Sequence, residues 1–390
     1  VRVPRFWEWD FVVQERPGAL GSGVIVHPRG YVVTNAHVIN QAAQISVKLT
    51  GLGREDEIAA GLVAVDLEHD LALLKMEGDG PYPAAAFGRV DDRMVGETVI
   101  AMGNPFGLGR TVTVGVLSAV DRDIQIRDQL FEGLLQTDAA VNQGNSGGAL
   151  LNILGEWIGV NSAIYSLSGG SDGISFAIPV DTVRGFLVEA MRPRRILQRW
   201  LGIEFAETPA GEVVVGKVYP VGPGASAGVP AGARVVGPDG RPARDLVALT
   251  FEVLDAAAAG RYALRIAGDD GIRTVELPFE ELPTARLGWT RLGLRSVEVT
   301  PQITERTGYR EGAGVLVTEV RPDGPAARLG FQPNDLLIAL GDHRVRTQED
   351  LLVLLEEMRA GDPVDVHVMR PARTVRGTRL EHWKARLVAD

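Results

Sequence analysis

Gly144-Asn145-Ser146-Gly147-Gly148 sets one serine among three glycines. A serine so flanked can sit on a tight turn whose backbone N–H groups point at a developing oxyanion. Upstream, the apolar run Tyr31-Val32-Val33 leads into Thr34-Asn35-Ala36-His37, which puts a histidine at a strand end where it can act as general base. Between them, Asp70 opens Asp70-Leu71-Ala72-Leu73-Leu74. A carboxylate just before a buried strand can be held, desolvated, against a histidine from a neighbouring strand. In the order His, Asp, Ser these pieces supply base, orienting acid and nucleophile. Asp66, Asp121 and Asp138 are worse placed for the acid's role, although Asp138 lies close to the serine in sequence.

Of the remaining histidines in this half, His27 precedes Pro28 in a turn and His69 lies in an acidic loop; both are expected at the surface. Gly103-Asn104-Pro105-Phe106-Gly107-Leu108-Gly109 is glycine-rich but has no lysine with which to hold a phosphate. The chain has no cysteine, which excludes disulfides, a thiol nucleophile and thiolate metal sites. It has no His-Glu-x-x-His pair either, so neither metal nor cofactor is expected.

The chain of 390 residues is 45% hydrophobic, material for two or three packed domains. A formal net charge of −10 argues against nucleic acid or an anionic membrane as partner. No apolar run reaches the length of about 18 residues that spans a bilayer. Val1-Arg2-Val3-Pro4-Arg5-Phe6-Trp7 lacks an apolar signal core, so the expectation is a trimmed mature chain or a cytoplasmic one. Phe6, Trp7, Trp9 and Phe11 form an aromatic cluster that reads as a packed strand or, if exposed, an oligomer contact.

From Phe11 to about Pro179 short β-rich runs alternate with Gly, Asn, Asp and Pro, the pattern of a barrel or sandwich. The runs include 23–26, 44–49, 71–74, 98–102 and 157–160. Val180 to Ala190 reads as a helix with Asp181 as its N-cap, and Arg192-Pro193-Arg194-Arg195 as a solvated linker. An internal repeat follows. Val218-Tyr219-Pro220-Val221-Gly222-Pro223-Gly224-Ala225-Ser226-Ala227-Gly228-Val229 aligns without gaps to Val320-Arg321-Pro322-Asp323-Gly324-Pro325-Ala326-Ala327-Arg328-Leu329-Gly330-Phe331. Leu201-Gly202-Ile203 and Leu292-Gly293-Leu294 precede the two copies. Helical runs (246–259 and 348–359) and strands (262–266 and 364–368) follow them. Two copies are too few for a solenoid, so two related α/β modules are expected.

These motifs resemble the HtrA (Deg) family of serine proteases over nearly the whole chain. The matching pieces are Gly21-Ser22-Gly23-Val24-Ile25, Val33-Thr34-Asn35-Ala36-His37-Val38-Ile39, Asp70-Leu71-Ala72-Leu73-Leu74-Lys75 and Gly103-Asn104-Pro105-Phe106-Gly107-Leu108. Gln136-Thr137-Asp138-Ala139-Ala140-Val141-Asn142, Gly144-Asn145-Ser146-Gly147-Gly148-Ala149-Leu150 and Gly173-Ile174-Ser175-Phe176-Ala177-Ile178-Pro179 complete the set. The resemblance implies a mainly β chain: a chymotrypsin-like double β-barrel over 1–192, then two PDZ domains of partly open α/β barrel type over 196–283 and 286–390. It implies His37 as base, Asp70 as orienting acid and Ser146 as nucleophile, with Gly144, Asn145 and Ser146 forming the oxyanion turn. Leu201, Gly202, Ile203, Leu292, Gly293 and Leu294 become the loops that capture a peptide's C-terminal carboxylate while the peptide extends a sheet edge. An ATP-independent periplasmic or cell-envelope endopeptidase for misfolded proteins is implied, built as a homotrimer or a multiple of trimers. Membrane contact comes only through an anchor that this sequence does not contain.

Several positions depart from the family. Gln143 replaces a common proline, the segment between Phe11 and Gly21 is short, and Ala231-Gly232-Ala233-Arg234-Val235-Val236 stands where the second module has the more typical Pro333-Asn334-Asp335-Leu336-Leu337-Ile338. In chymotrypsin-like proteases an acid six residues before the nucleophile selects Lys or Arg; here that residue is Ala140. With the apolar strand Ile174, Ser175, Phe176 and Ala177 as pocket wall, cleavage after small aliphatic residues is expected. Two other readings remain open at this point: a regulatory protease that cuts one signalling protein on sensing a peptide, and a proteolytically silent chaperone or PDZ scaffold.

Overall fold

Short, β-branched strands separated by turn residues build the first half of the molecule. The computed structural model describes residues 21–390 apart from 41, 43, 50–56, 79, 90–92, 105–110, 127–128, 143, 165–172, 198, 221, 269–270, 301–302, 305–306, 308, 310–311 and 375–376. The aromatic cluster at Phe6–Phe11, Gln143 and most of the glycine-rich segment after Asn104 therefore lie outside the described residues. The chain divides into two compact units, Val1–Ala190 and Met191–Asp390.

In the first unit, β1 (Val24–His27), β2 (Tyr31–Asn35), the short helix α1 (Ala36–Ile39), β3 (Ile45–Lys48), β4 (Glu57–Asp66) and β5 (Leu71–Met76) come first. Their strands form a five-stranded sheet in the order β1-β2-β5-β4-β3. Every residue of β2 is buried, and its antiparallel register with β5 sets Asn35 opposite Leu71. That register alone brings the residue before Leu71 beside the residues after Asn35. Next come β6 (Thr98–Gly103), β7 (Thr111–Ile126), β8 (Gln129–Thr137), β9 (Ala149–Asn152), β10 (Trp157–Ile164) and β11 (Ser175–Pro179), which close into a barrel in the order β10-β11-β8-β7-β6-β9. Its interior is filled by Val99, Ala101, Leu117, Leu135, Leu150, Ile158 and Ala177.

β11 runs straight into helix α2 (Val180–Ala190), which buries Val180, Val183, Leu187 and Ala190 on one face. The expected N-cap is corrected here. Asp181 lies inside the first turn, where it suits the helix dipole and takes both Arg93 guanidinium nitrogens at 3.1 and 3.2 Å. His27 is also corrected: it is 4% exposed, stacks edge-on against Tyr31 and accepts the Arg29 N–H through Nδ1. His69 is exposed as expected, with Nδ1 2.7 Å from Asp66.

The second unit opens with α3 (Pro193–Leu197), so the basic stretch read as a linker is a short helix started by a proline. Before it, Arg192 reaches Glu204 at 3.8 Å. The first module contains β12 (Arg199–Trp200), β13 (Ile203–Glu207), β14 (Val213–Val218), α4 (Pro223–Ser226), α5 (Leu246–Ala259), β15 (Arg261–Gly268), β16 (Gly271–Pro278) and β17 (Glu280–Glu281). Its strands pair as β12-β17, β13-β14 and β15-β16 around a core of Val213, Val215, Leu249, Val253, Leu264 and Leu277. Helix α6 (Thr284–Leu287) and one π-helical turn (Gly288–Leu292) lead into the second module. That module holds β18 (Leu294–Glu298), β19 (Val315–Val320), α7 (Pro325–Arg328), β20 (Leu336–Leu340), β21 (His343–Arg344), α8 (Gln348–Glu357), β22 (Pro363–Thr374) and β23 (Gly377–Val388). All its strands join one sheet, with β18 at an edge.

The sequence repeat is also a repeat of geometry. Tyr219 N–H donates to Gly202 O at 2.9 Å in the first module, and Arg321 N–H to Gly293 O at 2.8 Å in the second. A Cβ on Gly293, whose φ is 72°, would lie 3.1 Å from Gly324 Cα, so only glycine lets the loop close on the turn before α7. The modules share a small core: Trp200 stacks on Tyr219 at 5.0 Å between ring centroids, and both pack on Leu352 of α8, which is fully buried.

Candidate active site

The end of β2 and the start of β5 deliver a base and an acid to one point. Asp70 sits in the left-handed region at φ 55°, the price of turning directly into β5. Its carbonyl accepts the Ala36 N–H at 3.1 Å and the Asn35 side-chain amide at 3.0 Å. The carboxylate then faces His37: Oδ1 accepts the His37 backbone N–H at 2.9 Å, and Oδ2 lies 2.7 Å from His37 Nδ1. The Ser162 hydroxyl donates to the same Oδ2 at 3.2 Å. Asp70 is 5% exposed, so this carboxylate works where water competes little for its hydrogen bonds. An imidazole held through Nδ1–H presents Nε2 as the basic nitrogen.

Ser146 joins this group through the closed barrel. Its Oγ donates to the Ser162 carbonyl at 3.0 Å. Ser162 therefore touches both the acid and the serine, one through its hydroxyl and the other through its backbone. Gly147, at φ 83°, has no room for a side chain: a Cβ would come within 2.2 Å of Ser22 O and 2.3 Å of Thr34 Oγ1. The serine turn thus presses against the strand that leads to His37.

The turn at 144–148 has the following geometry. Gly144 has φ 102°, and among the described residues neither its amide nor that of Ser146 donates to a protein acceptor. Asn145 belongs to the turn, but its N–H is committed to Asn142 O at 2.9 Å, so its contribution is shape. Its side chain is buried against Gly103, where a Cβ would meet Asn145 Oδ1 at 2.4 Å.

The residues expected to line the specificity pocket do not share one wall. Ala177 packs into the barrel core, and strand alternation turns Phe176 to the opposite face. Ser175 is fully buried and donates to Ala139 O at 3.1 Å. Ile174, before the strand, is 37% exposed, and the Ala140 carbonyl accepts from Thr113 Oγ1 at 2.8 Å.

In the second unit, Leu201 and Leu292 are buried and Gly202 and Gly293 both adopt positive φ, with Ile203 and Leu294 starting the strands that follow. Opposite β18, Gln348 of α8 donates its N–H to Glu298 Oε1 at 3.3 Å and its side-chain amide to Ser296 Oγ at 3.0 Å.

Sequence reasoning missed Ser162 and Ser22. Ser162 has no motif around it; only the sequel Asn161-Ser162, polar residues following the apolar, buried run 157–160, could have pointed to it. Ser22 was visible only as part of a family match.

Comparison with known proteins agrees with this construction. The trypsin-like peptidase domain family matches residues 21–160, and the PDZ domain family matches residues 290–378. A probable periplasmic serine endoprotease DegP-like of Halomonas elongata is 34% identical, over 91% of this chain and 77% of that protein. The protein of the same description from Chlamydia trachomatis is 35% identical, over 89% of this chain and 71% of that one. Among solved structures, the HtrA-type protease AlgW with decapeptide shows 29% identity over 95% of this chain and 82% of that chain, at a TM-score of 0.41, too loose a superposition to add to the fold argument. A trypsin-like domain, a PDZ domain and relatives of this similarity and coverage place the chain in the HtrA/DegP-like family of serine endoproteases.

Proposed function

We propose that Ser146 attacks the scissile carbonyl, that His37 Nε2 takes its proton and later returns it to the leaving amine, and that Asp70 holds the imidazole and stabilises its charged form. The N–H groups of Gly144 and Ser146 stabilise the oxyanion, each donor being worth about 2.7–4 kcal/mol in enzymes of this kind. The observation that carries the reading is the paired contact of Asp70 with His37, through both its backbone N–H and Nδ1, beside a serine that Ser162 ties to the same carboxylate. Ser146→Ala tests it: degradation of unfolded casein should disappear while the thermal unfolding curve stays in place, and retained turnover would refute the nucleophile.

The physiological role we infer is ATP-independent degradation of misfolded or damaged proteins in the periplasm, by a homotrimer or a multiple of trimers. The description of the relatives as periplasmic supports the compartment. Cleavage after Val, Ala or Ile fits the absence of an acid at Ala140; discrimination should be soft, since one methylene is worth about 1–3 kcal/mol. Comparable cleavage after Lys or Arg in a peptide library would contradict it. We read 196–283 as a divergent PDZ-like module on the strength of the repeated loop geometry, and the two loops at Leu201–Ile203 and Leu292–Leu294 as sites for peptide C-termini that regulate activity or capture substrate. In the second module a peptide would have to displace Gln348 from Ser296 and Glu298 to lie along β18.

A further inference from the structure

We infer that Ser22, a residue that does not touch substrate, is the positioning residue that sets the oxyanion turn. The inference rests on Ser146 being the nucleophile.

Three successive peptide planes of the turn are anchored. In the 144–145 plane, Asn145 N–H donates to Asn142 O at 2.9 Å and Gly144 O accepts the Ser22 hydroxyl at 2.7 Å. In the 145–146 plane, Asn145 O accepts the Gly148 N–H at 2.9 Å. In the 146–147 plane, Ser146 O accepts the Ser22 N–H at 2.8 Å and Gly147 N–H donates to Asn161 O at 2.8 Å. Ser22 thus fixes one end of the plane before, and one end of the plane after, the peptide that carries the Ser146 N–H. With both neighbours fixed, that peptide has little freedom to rotate its N–H away from the oxyanion position.

The Ser22 hydroxyl has no alternative arrangement. Its oxygen accepts the Asn104 N–H at 2.9 Å, so its single proton is left for Gly144 O. The residue is itself tied down, since its carbonyl accepts Thr34 Oγ1 at 2.7 Å, on the strand that leads to His37. Removing Oγ would take away both the hydroxyl proton that Gly144 O accepts and the oxygen that accepts the Asn104 N–H.

The test uses the full chain with Ser22→Ala, Ser22→Thr and, as a control, Arg93→Gln, which breaks the ion pair with Asp181 of α2, a contact that includes no residue of the turn. Each is assayed for kcat and KM on a fluorogenic peptide ending in valine at the cleavage site. Each is also assayed for inhibition by the matching peptide boronic acid, whose tetrahedral adduct places an oxygen at the oxyanion position. Loss of one oxyanion donor costs about 10²–10³ in kcat, and a misaimed donor should cost less. Ser22→Ala is therefore expected to lower kcat about 10–100-fold with KM within about threefold, and to raise the boronate Ki by the same factor as kcat/KM falls. Ser22→Thr, which keeps the hydroxyl, should recover most of both. Arg93→Gln should lower thermal stability without changing the ratio of Ki to KM. Wild-type kcat and Ki in Ser22→Ala would overturn the inference, as would equal effects of Ser22→Ala and Arg93→Gln on that ratio. If Ser22→Ala does not fold, a Ser22→Thr enzyme with an unchanged melting point but no recovery of kcat or Ki overturns it too. Failure of the wild-type enzyme to react at Ser146 would instead sink the nucleophile assignment on which it rests.

Discussion

Replacing Asp70 by Asn keeps the size of the side chain and changes only what its two ends can accept. In the native site Oδ1 accepts the His37 backbone N–H and Oδ2 faces both Nδ1–H and the Ser162 hydroxyl. An amide has one oxygen for these places. If the oxygen stays toward the His37 backbone, the NH2 group faces Nδ1, which must then be unprotonated; the proton moves to Nε2 and the base is lost. If the amide turns over, the NH2 opposes the buried backbone N–H, and a buried donor left without an acceptor costs about 1–3 kcal/mol. The productive tautomer therefore lies about 1–3 kcal/mol above the unproductive one. The charged hydrogen bond that stabilises the imidazolium, worth about 1.5–3 kcal/mol, is lost as well. Together these raise the barrier by about 2.5–6 kcal/mol, or about 10²–10⁴ in kcat at 1.36 kcal/mol per tenfold. The assay is steady-state peptide hydrolysis with kcat and KM separated, beside a thermal melt. A Asp70→Asn enzyme that keeps more than a tenth of wild-type kcat would refute this role for the carboxylate.

Other expectations follow from the same contacts. Gly147→Ala places a methyl against Ser22 O and Thr34 Oγ1 at a backbone angle that alone costs about 1–2 kcal/mol in an L-residue, so activity should fall below detection with a clear drop in melting temperature; an active, equally stable variant would contradict the packing. Trp200→Ala empties the core shared with Tyr219 and Leu352, and denaturant unfolding should show a loss of about 3–5 kcal/mol in the second unit; a loss under about 1 kcal/mol would show that this contact does not hold the modules. Glu356 has both carboxylate oxygens buried without a hydrogen-bond partner among the described residues, and burial raises its pKa above its ordinary value of 4.5, with Arg291 opposing. An acid with a raised folded pKa loses stability as pH rises through that value, so Glu356→Gln should stabilise the unit at pH 7 and give no gain below pH 4.5; a gain independent of pH would exclude the charge as its cause.

Much of this arrangement could be read before any coordinates. The serine and histidine motifs, with Asp70 ahead of an apolar strand, carry their chemistry in local residue types, and the repeat is visible because the same turn needs the same glycine and proline. The spans of α2 and α5 were legible in their residue patterns, but the cap of α2 was not, because Asp181 lies inside its first turn. What stayed hidden depends on contacts between distant segments. Ser162 and Ser22 reach the site through hydrogen bonds to residues 92 and 122 positions away, which no local pattern records. His27 is buried by Tyr31 across a tight turn that its neighbours in sequence make look polar. The strand Ser175–Pro179 alternates between the barrel core and the opposite face, a two-residue period that its largely apolar run does not display.

The central claim is that Ser146 is an activated nucleophile. Treating the full chain with a fluorophosphonate, with and without a peptide ending in a hydrophobic C-terminal residue, and mapping the adduct by mass spectrometry tests it most directly. The account predicts one adduct per chain on Ser146, formed at a rate that falls in Asp70→Asn and absent in Ser146→Ala. An adduct on another residue, or none under either condition, would contradict it.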